Sequence, residues 1–195
     1  MKESTFMKKT LVILLVAFAA VSLFVSCRNN PTDTGYKIGD RGPAGGYIFY
    51  INENAGSGEW KYLEAAPEDL SGSYKWGSDG THGTDTAIGK GKSNTKALMD
   101  AKKNDSSLSF PAAEECDKYT YGGYDDWFLP SSEELNEMYK NLASADKGGT
   151  WQEGWYWSSS EKDSDHTYYQ SFLTGSPSDN LRGNNTNCVR SVRMF

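Results

Sequence analysis

Three groups of residues in this chain have types and spacings that could do chemistry. Cys27 closes Leu23-Phe24-Val25-Ser26-Cys27, a segment with the form of a lipobox, whose chemistry is attachment of lipid to the cysteine sulfur. Glu161, Asp163, Asp165 and His166 fall within six residues, and Asp125-Asp126 precede Trp127. Carboxylates grouped in this way suit acid/base work or a hard cation. Cys116 and Cys188 form the third group. In an oxidising compartment such a leftover pair predicts one disulfide, the alternative being two buried free thiols.

The N-terminus decides the compartment. Lys2, Lys8 and Lys9 make a basic start, and Leu11 to Val25 is apolar apart from Ser22. A bilayer crossing takes about 20 apolar residues, so this shorter run suits a signal sequence better than a span. An uncleaved anchor helix is the rival reading, but small Ser26 directly before a cysteine is what processing requires. The expected organisation is a signal peptide over 1–26, a lipidated Cys27 with a polar tether over 27–38, and a single domain over 39–195. That makes an exported protein held on the membrane by its N-terminal lipid, at the cell surface or the periplasmic face of the envelope.

Composition narrows the function. The chain carries a net charge of −6, and its first 26 residues are basic, so the remainder is more acidic still. Such a surface repels nucleic acid, which is excluded as a partner. Twenty Gly, 12 Tyr and 6 Trp indicate a loop-rich fold whose core leans on aromatic rings. No Gly-x-Ser-x-Gly elbow, phosphate loop or His-Glu-x-x-His is present, and both histidines, His82 and His166, sit in polar loops without a second ligand at metal spacing. The acidic residues read more simply as turn formers. The sequence therefore predicts a protein that is not an enzyme, with no cofactor and no metal site.

The elements that must carry these residues follow from periodicity. Tyr47 to Ile51 and Trp60 to Leu63 read as a strand hairpin, and Ser71 to Ser93 as a long surface loop around Trp76. Thr95 to Lys103, Pro111 to Tyr119 and a stretch carrying Leu135, Met138, Tyr139 and Leu142 read as three short helices. Ser131 and Glu134 are spaced as a capping box for the third. Trp155 to Trp157, Thr167 to Leu173 and Cys188 to Phe195 read as strands, separated by polar loops over Ser158–His166 and Thr174–Asn187. Strand alternation sends Trp155 or Trp157, and Tyr168 or Tyr169, into the core, and leaves the burial of Arg190 open. The loops are rich in Ser, Asp and Asn, which make adaptable hydrogen bonds beside rigid rings. Glu161, Asp163, Asp165, His166, Asp179, Asn180, Asn184 and Asn185 are accordingly the expected ligand-binding residues.

Five motifs in order carry a resemblance. Gly42-Pro43-Ala44-Gly45-Gly46-Tyr47-Ile48-Phe49-Tyr50, Tyr62 to Pro67 with Trp76-Gly77, Asp126 to Ser131 with Glu134-Leu135, Tyr156 to Ser160, and Val189 to Arg193 are similar to those of a bacterial surface-domain family. That family is named after the C-terminal domain of the Legionella collagen-like protein, and the likeness runs from about Gly39 to Phe195. The resemblance implies an α+β, C-type-lectin-like fold: a small twisted antiparallel sheet whose first and last strands pair, about three short helices, and long loops. It also implies a disulfide from a helix to the final strand, the places of Cys116 and Cys188. Its implied function is binding of a macromolecule, protein or glycan, through the C-terminal loops. The calcium-lectin signatures Glu-Pro-Asn, Gln-Pro-Asp and Trp-Asn-Asp are missing, so sugar binding through Ca²⁺ is not carried over. Related lectin-like folds also serve as variable display proteins of diversity-generating retroelements. A structural envelope lipoprotein without a discrete ligand is the alternative, and an exported hydrolase using Asp126 or Asp163 the more distant one.

Overall fold

A computed structural model describes residues 35–183 and 185–195. The signal peptide expected over 1–26, Cys27, most of the tether and Asn184 lie outside the described residues. Residues 35–195 gather into one compact unit, of α+β class with two small antiparallel sheets. No helix among the described residues is long and apolar enough to cross a membrane.

In the first sheet β2 (Tyr62–Ala65) lies between β1 (Tyr47–Ile51) and β6 (Val192–Met194). The resemblance implied that the first and last strands pair, and they do not. β2 separates them, and the Phe195 carbonyl accepts from the Lys61 and Tyr62 amides at 2.8 and 3.0 Å. As the central strand, β2 has all four residues buried, Glu64 included. The Glu64 carboxylate is offset by the Gly46 amide at 2.6 Å and by Arg193 at 3.3 Å, which is how a buried charge becomes tolerable.

The second sheet runs β3 (Trp155–Glu161), β4 (His166–Ser171), β5 (Pro177–Leu181). The expected single sheet is thus two, because segments that look like polar loops are strands. Ser158, Ser159 and Ser160 extend β3 and are fully buried. Their hydroxyls donate to the carbonyls of Tyr168 (2.8 Å), Pro130 (3.2 Å) and Asp85 (2.7 Å). Polarity at these positions reflects partners inside the fold rather than solvent.

Three helices pack on these sheets: α1 (Gly91–Asn104), α2 (Pro111–Lys118) and α3 (Ser132–Met138), the last running on into a π-helical turn over Tyr139–Ala143. Ser131 and Glu134 form the expected capping box at the start of α3. The Glu134 carboxylate does more than cap. It also accepts from the amides of Gly89 (2.8 Å) and Gly91 (3.3 Å), joining the starts of α1 and α3. A Cβ on Gly91 would stand 2.3 Å from Glu134 Oε2, so only glycine permits this approach.

Two apolar clusters fill the interior. One joins Phe49, Leu63, Phe128, Met138, Tyr156 and Val192; the other joins Trp76, Leu98, Phe110, Leu129, Trp157 and Val189. Arg190 is buried between chain segments distant in sequence. It donates to Asp69 Oδ1 (2.6 Å) and to the carbonyls of Ala66 (3.1 Å) and Thr150 (2.7 Å), and lies 3.9 Å from the Trp151 ring centroid. The expected disulfide is absent: Cys116 and Cys188 are both free thiols. They belong to different clusters, and the Cys188 thiol instead donates to Gln152 Oε1 at 3.3 Å.

Candidate functional site

The hairpin between β3 and β4, with the neighbouring edge strand β5, gathers most of the expected ligand-binding residues. Register places Tyr168 opposite Asp179 and Thr167 opposite Asn180, so β5 runs directly beside the hairpin. Lys162 Nζ bridges the two at 2.8 Å from Asp179 Oδ1.

Glu161 does not face a ligand. Its carboxylate accepts from the His82 amide (3.0 Å) and from the Thr84 hydroxyl (3.2 Å), and pairs with Arg182 Nη1 at 3.1 Å. The sequence reading of Glu161 as a binding residue is therefore corrected to a structural one. Arg182, which the sequence reading passed over, is its counterpart. The guanidinium is fully buried, lies 4.6 Å from the Trp76 ring centroid, and donates to the carbonyls of Gly80 (2.6 Å), Asp163 and His166 (3.1 Å). Arginine's planar fork allows one side chain to hold several acceptors at once. It fastens the hairpin to the loop before α1. A visible signal existed, since Arg182 is the only basic residue in the polar Thr174–Asn187 stretch.

On this base sit Asp163, Asp165 and His166. Asp163 Oδ1 accepts from the Asp165 and His166 amides at 3.1 and 2.8 Å. His166 Nδ1 lies 3.0 Å from Asp163 Oδ1 and 2.9 Å from Asp165 Oδ1. Those backbone bonds hold the Asp163 carboxyl well below the usual carboxylate range, and the hydrogen bond to Asp163 raises the imidazole above the ordinary histidine value. The three side chains are mutually close enough to surround a cation. Asp163 Oδ1, however, is already spent on two amides and the imidazole, and Asp165 Oδ1 on the imidazole, the pattern of a turn built by an Asp side chain. What the arrangement offers is a fixed, charged and exposed tip.

Asn180 turns its side-chain oxygen onto the Leu181 amide at 2.8 Å, and Asn185 is exposed beyond the end of β5. Aromatic surface lies on the same sheet. Trp157 is fully buried, whereas Trp155 is 41 % exposed and packs 4.5 Å from the Tyr169 ring. Tyr168 and Tyr169 are both only half-buried, so neither enters the core completely.

No family model matches this chain, and no curated protein does. Its structure is similar to the crystal structure of a fimbrial protein from Bacteroides ovatus, with a TM-score of 0.50 and 16 % identity. The likeness covers 77 % of this chain and 44 % of that one, so the chain spans less than half of the fimbrial protein's length. At that identity it shows a shared fold only.

Proposed function

We propose that this chain is an exported lipoprotein, anchored through Cys27, whose C-type-lectin-like domain binds a macromolecule, protein or glycan, and carries out no catalysis. The binding surface is the β3–β4 hairpin tip with the adjoining edge of β5. One observation carries this reading: buried Arg182 clamps the hairpin from beneath while Asp163, Asp165 and His166 are held outward on it. Preorganised polar groups on a rigid sheet bind without first paying for loop ordering. Exposed Trp155 and half-buried Tyr169 add rings of the kind that recur at binding surfaces. Likeness to a fimbrial protein supports display outside the cell, and the lipobox would supply the anchor.

The purified chain screened on glycan and protein arrays tests the reading. Replacing Asp165 and His166 together by Ala, which leaves the Asp163 turn in place, should abolish a reproducible hit while leaving the melting temperature near that of the parent. Binding indifferent to those changes would refute this surface, and absence of any hit favours a structural envelope role. Metabolic lipid labelling, lost on Cys27→Ser, tests the anchor separately.

A further inference from the structure

A second surface, away from the hairpin, has the makings of a small-molecule site. A cleft of about 580 Å³ opens between α1, the end of α2 and the Asp125–Phe128 segment. That volume lies within the range of sites that enclose small ligands. Buried Trp127 and Phe128 line it together with Met99 and Met194, so its lining is largely apolar, and methionines adapt to varied shapes.

The charges around it are separated by element. Lys92 and Lys96 come from α1, where with Met99 they recur at i, i+4 and i+7 and so share one face. Asp117 comes from the end of α2, and Asp125 and Asp126 from the following segment. Asp126 is already engaged by Arg193, at 2.8 and 3.2 Å. Asp117 and Asp125 make no ion pair among the described residues, and nor does Lys92. Lys96 pairs only with Asp100, its neighbour one turn along, through two well-exposed side chains, a contact that costs little to exchange. The cleft thus has unpaired cationic and anionic groups on different walls of an apolar trough.

We infer that this cleft binds an amphoteric ligand of the short-peptide class, with an apolar middle on Trp127, Phe128 and the methionines, a carboxylate toward Lys92 and Lys96, and an ammonium toward Asp117 and Asp125. A single-signed ligand would satisfy one wall and face repulsion from the other. A neutral apolar ligand would make no use of either set of charges.

Calorimetric titration of the purified full chain with a leucine-centred tripeptide tests this. The free tripeptide should bind, and N-acetylation or C-amidation should each weaken binding at least about tenfold, the loss expected for a charge-assisted contact. The double variant Lys92→Gln/Lys96→Gln should lose the preference for a free carboxylate and keep that for a free amine. Asp117→Asn/Asp125→Asn should do the reverse. These side chains are exposed, so all variants should melt like the parent. No heat at millimolar tripeptide in natively melting protein, equal affinity for the doubly capped peptide, or unchanged preferences in both variants would each overturn the assignment. Array hits at the hairpin are unaffected by any of these outcomes, which keeps the two sites independent.

Discussion

Arg182 Nη1 stands 3.1 Å from Glu161 Oε1, with the two side chains only 0 % and 5 % exposed. The pair joins the end of β3 to the segment after β5 beneath the hairpin tip. Burying two charges is costly, and only their mutual contact and the surrounding carbonyl and amide partners offset it.

Removing one partner alone should leave the other charge stranded. Arg182→Met or Glu161→Gln is expected to destabilise by about 3–5 kcal/mol, and the double change by less than the sum of the singles. Denaturant unfolding of the four proteins in a cycle measures this. Additive losses would show that the two side chains do not act as a unit.

Glu134 gives a pH signature. Burial pushes its carboxyl up to about 7, against the pull of the Ser131, Gly91 and Gly89 amides. A carboxyl raised in the folded state favours folding at low pH. Its contribution is complete below the unfolded value, about 4.3, and is lost as pH rises through about 7. The slope should approach but not exceed about 1.4 kcal/mol per pH unit across that window. Glu134→Gln cannot titrate, so its stability profile should lack this slope when melting is followed from pH 4 to 8.

The imidazole of His166 should titrate above about 6.5, the ordinary histidine value, because Asp163 and Asp165 both face its Nδ1. NMR titration of the ring reads this directly. In Asp163→Asn the midpoint should fall back toward the ordinary value. An unchanged midpoint would mean that Asp163 does not hold the ring.

The two cysteines should behave as buried thiols. Burial pushes the Cys116 thiol up to about 12, so almost no thiolate exists near neutral pH. Peptide mapping after alkylation should find Cys116 unmodified in native protein and both Cys116 and Cys188 modified in denaturant without reductant. A disulfide-linked peptide joining the two would contradict the structure.

The edge of β5 beside the hairpin carries a separate stability expectation. Asp179 meets only exposed Lys162, and Asn185 is exposed. Replacing Asp179, Asn180 and Asn185 together by Ala should cost no more than about 1 kcal/mol. Thermal melting checks this, and a larger loss would make the β5 edge structural.

What the sequence determined by itself is local. A period of 3.6 places α1, α2 and α3, runs of β-branched and aromatic residues place β1 and the cores of β3 and β4, and the Ser131–Glu134 spacing foretells a cap that forms as written, because these signals act within a few residues. The tertiary structure decided what depends on distant partners. Ser158 to Ser160 look like loop and are buried strand because carbonyls of three other segments receive their hydroxyls. Glu161 looks like a ligand contact and is spent on Arg182, His82 and Thr84. Cys116 and Cys188 look like a disulfide and sit in separate clusters. Period and spacing report which neighbours along the chain share a face. They carry no record of which remote carbonyl, carboxylate or cavity a polar side chain will meet, and that meeting decides whether a residue supports the fold or faces a ligand.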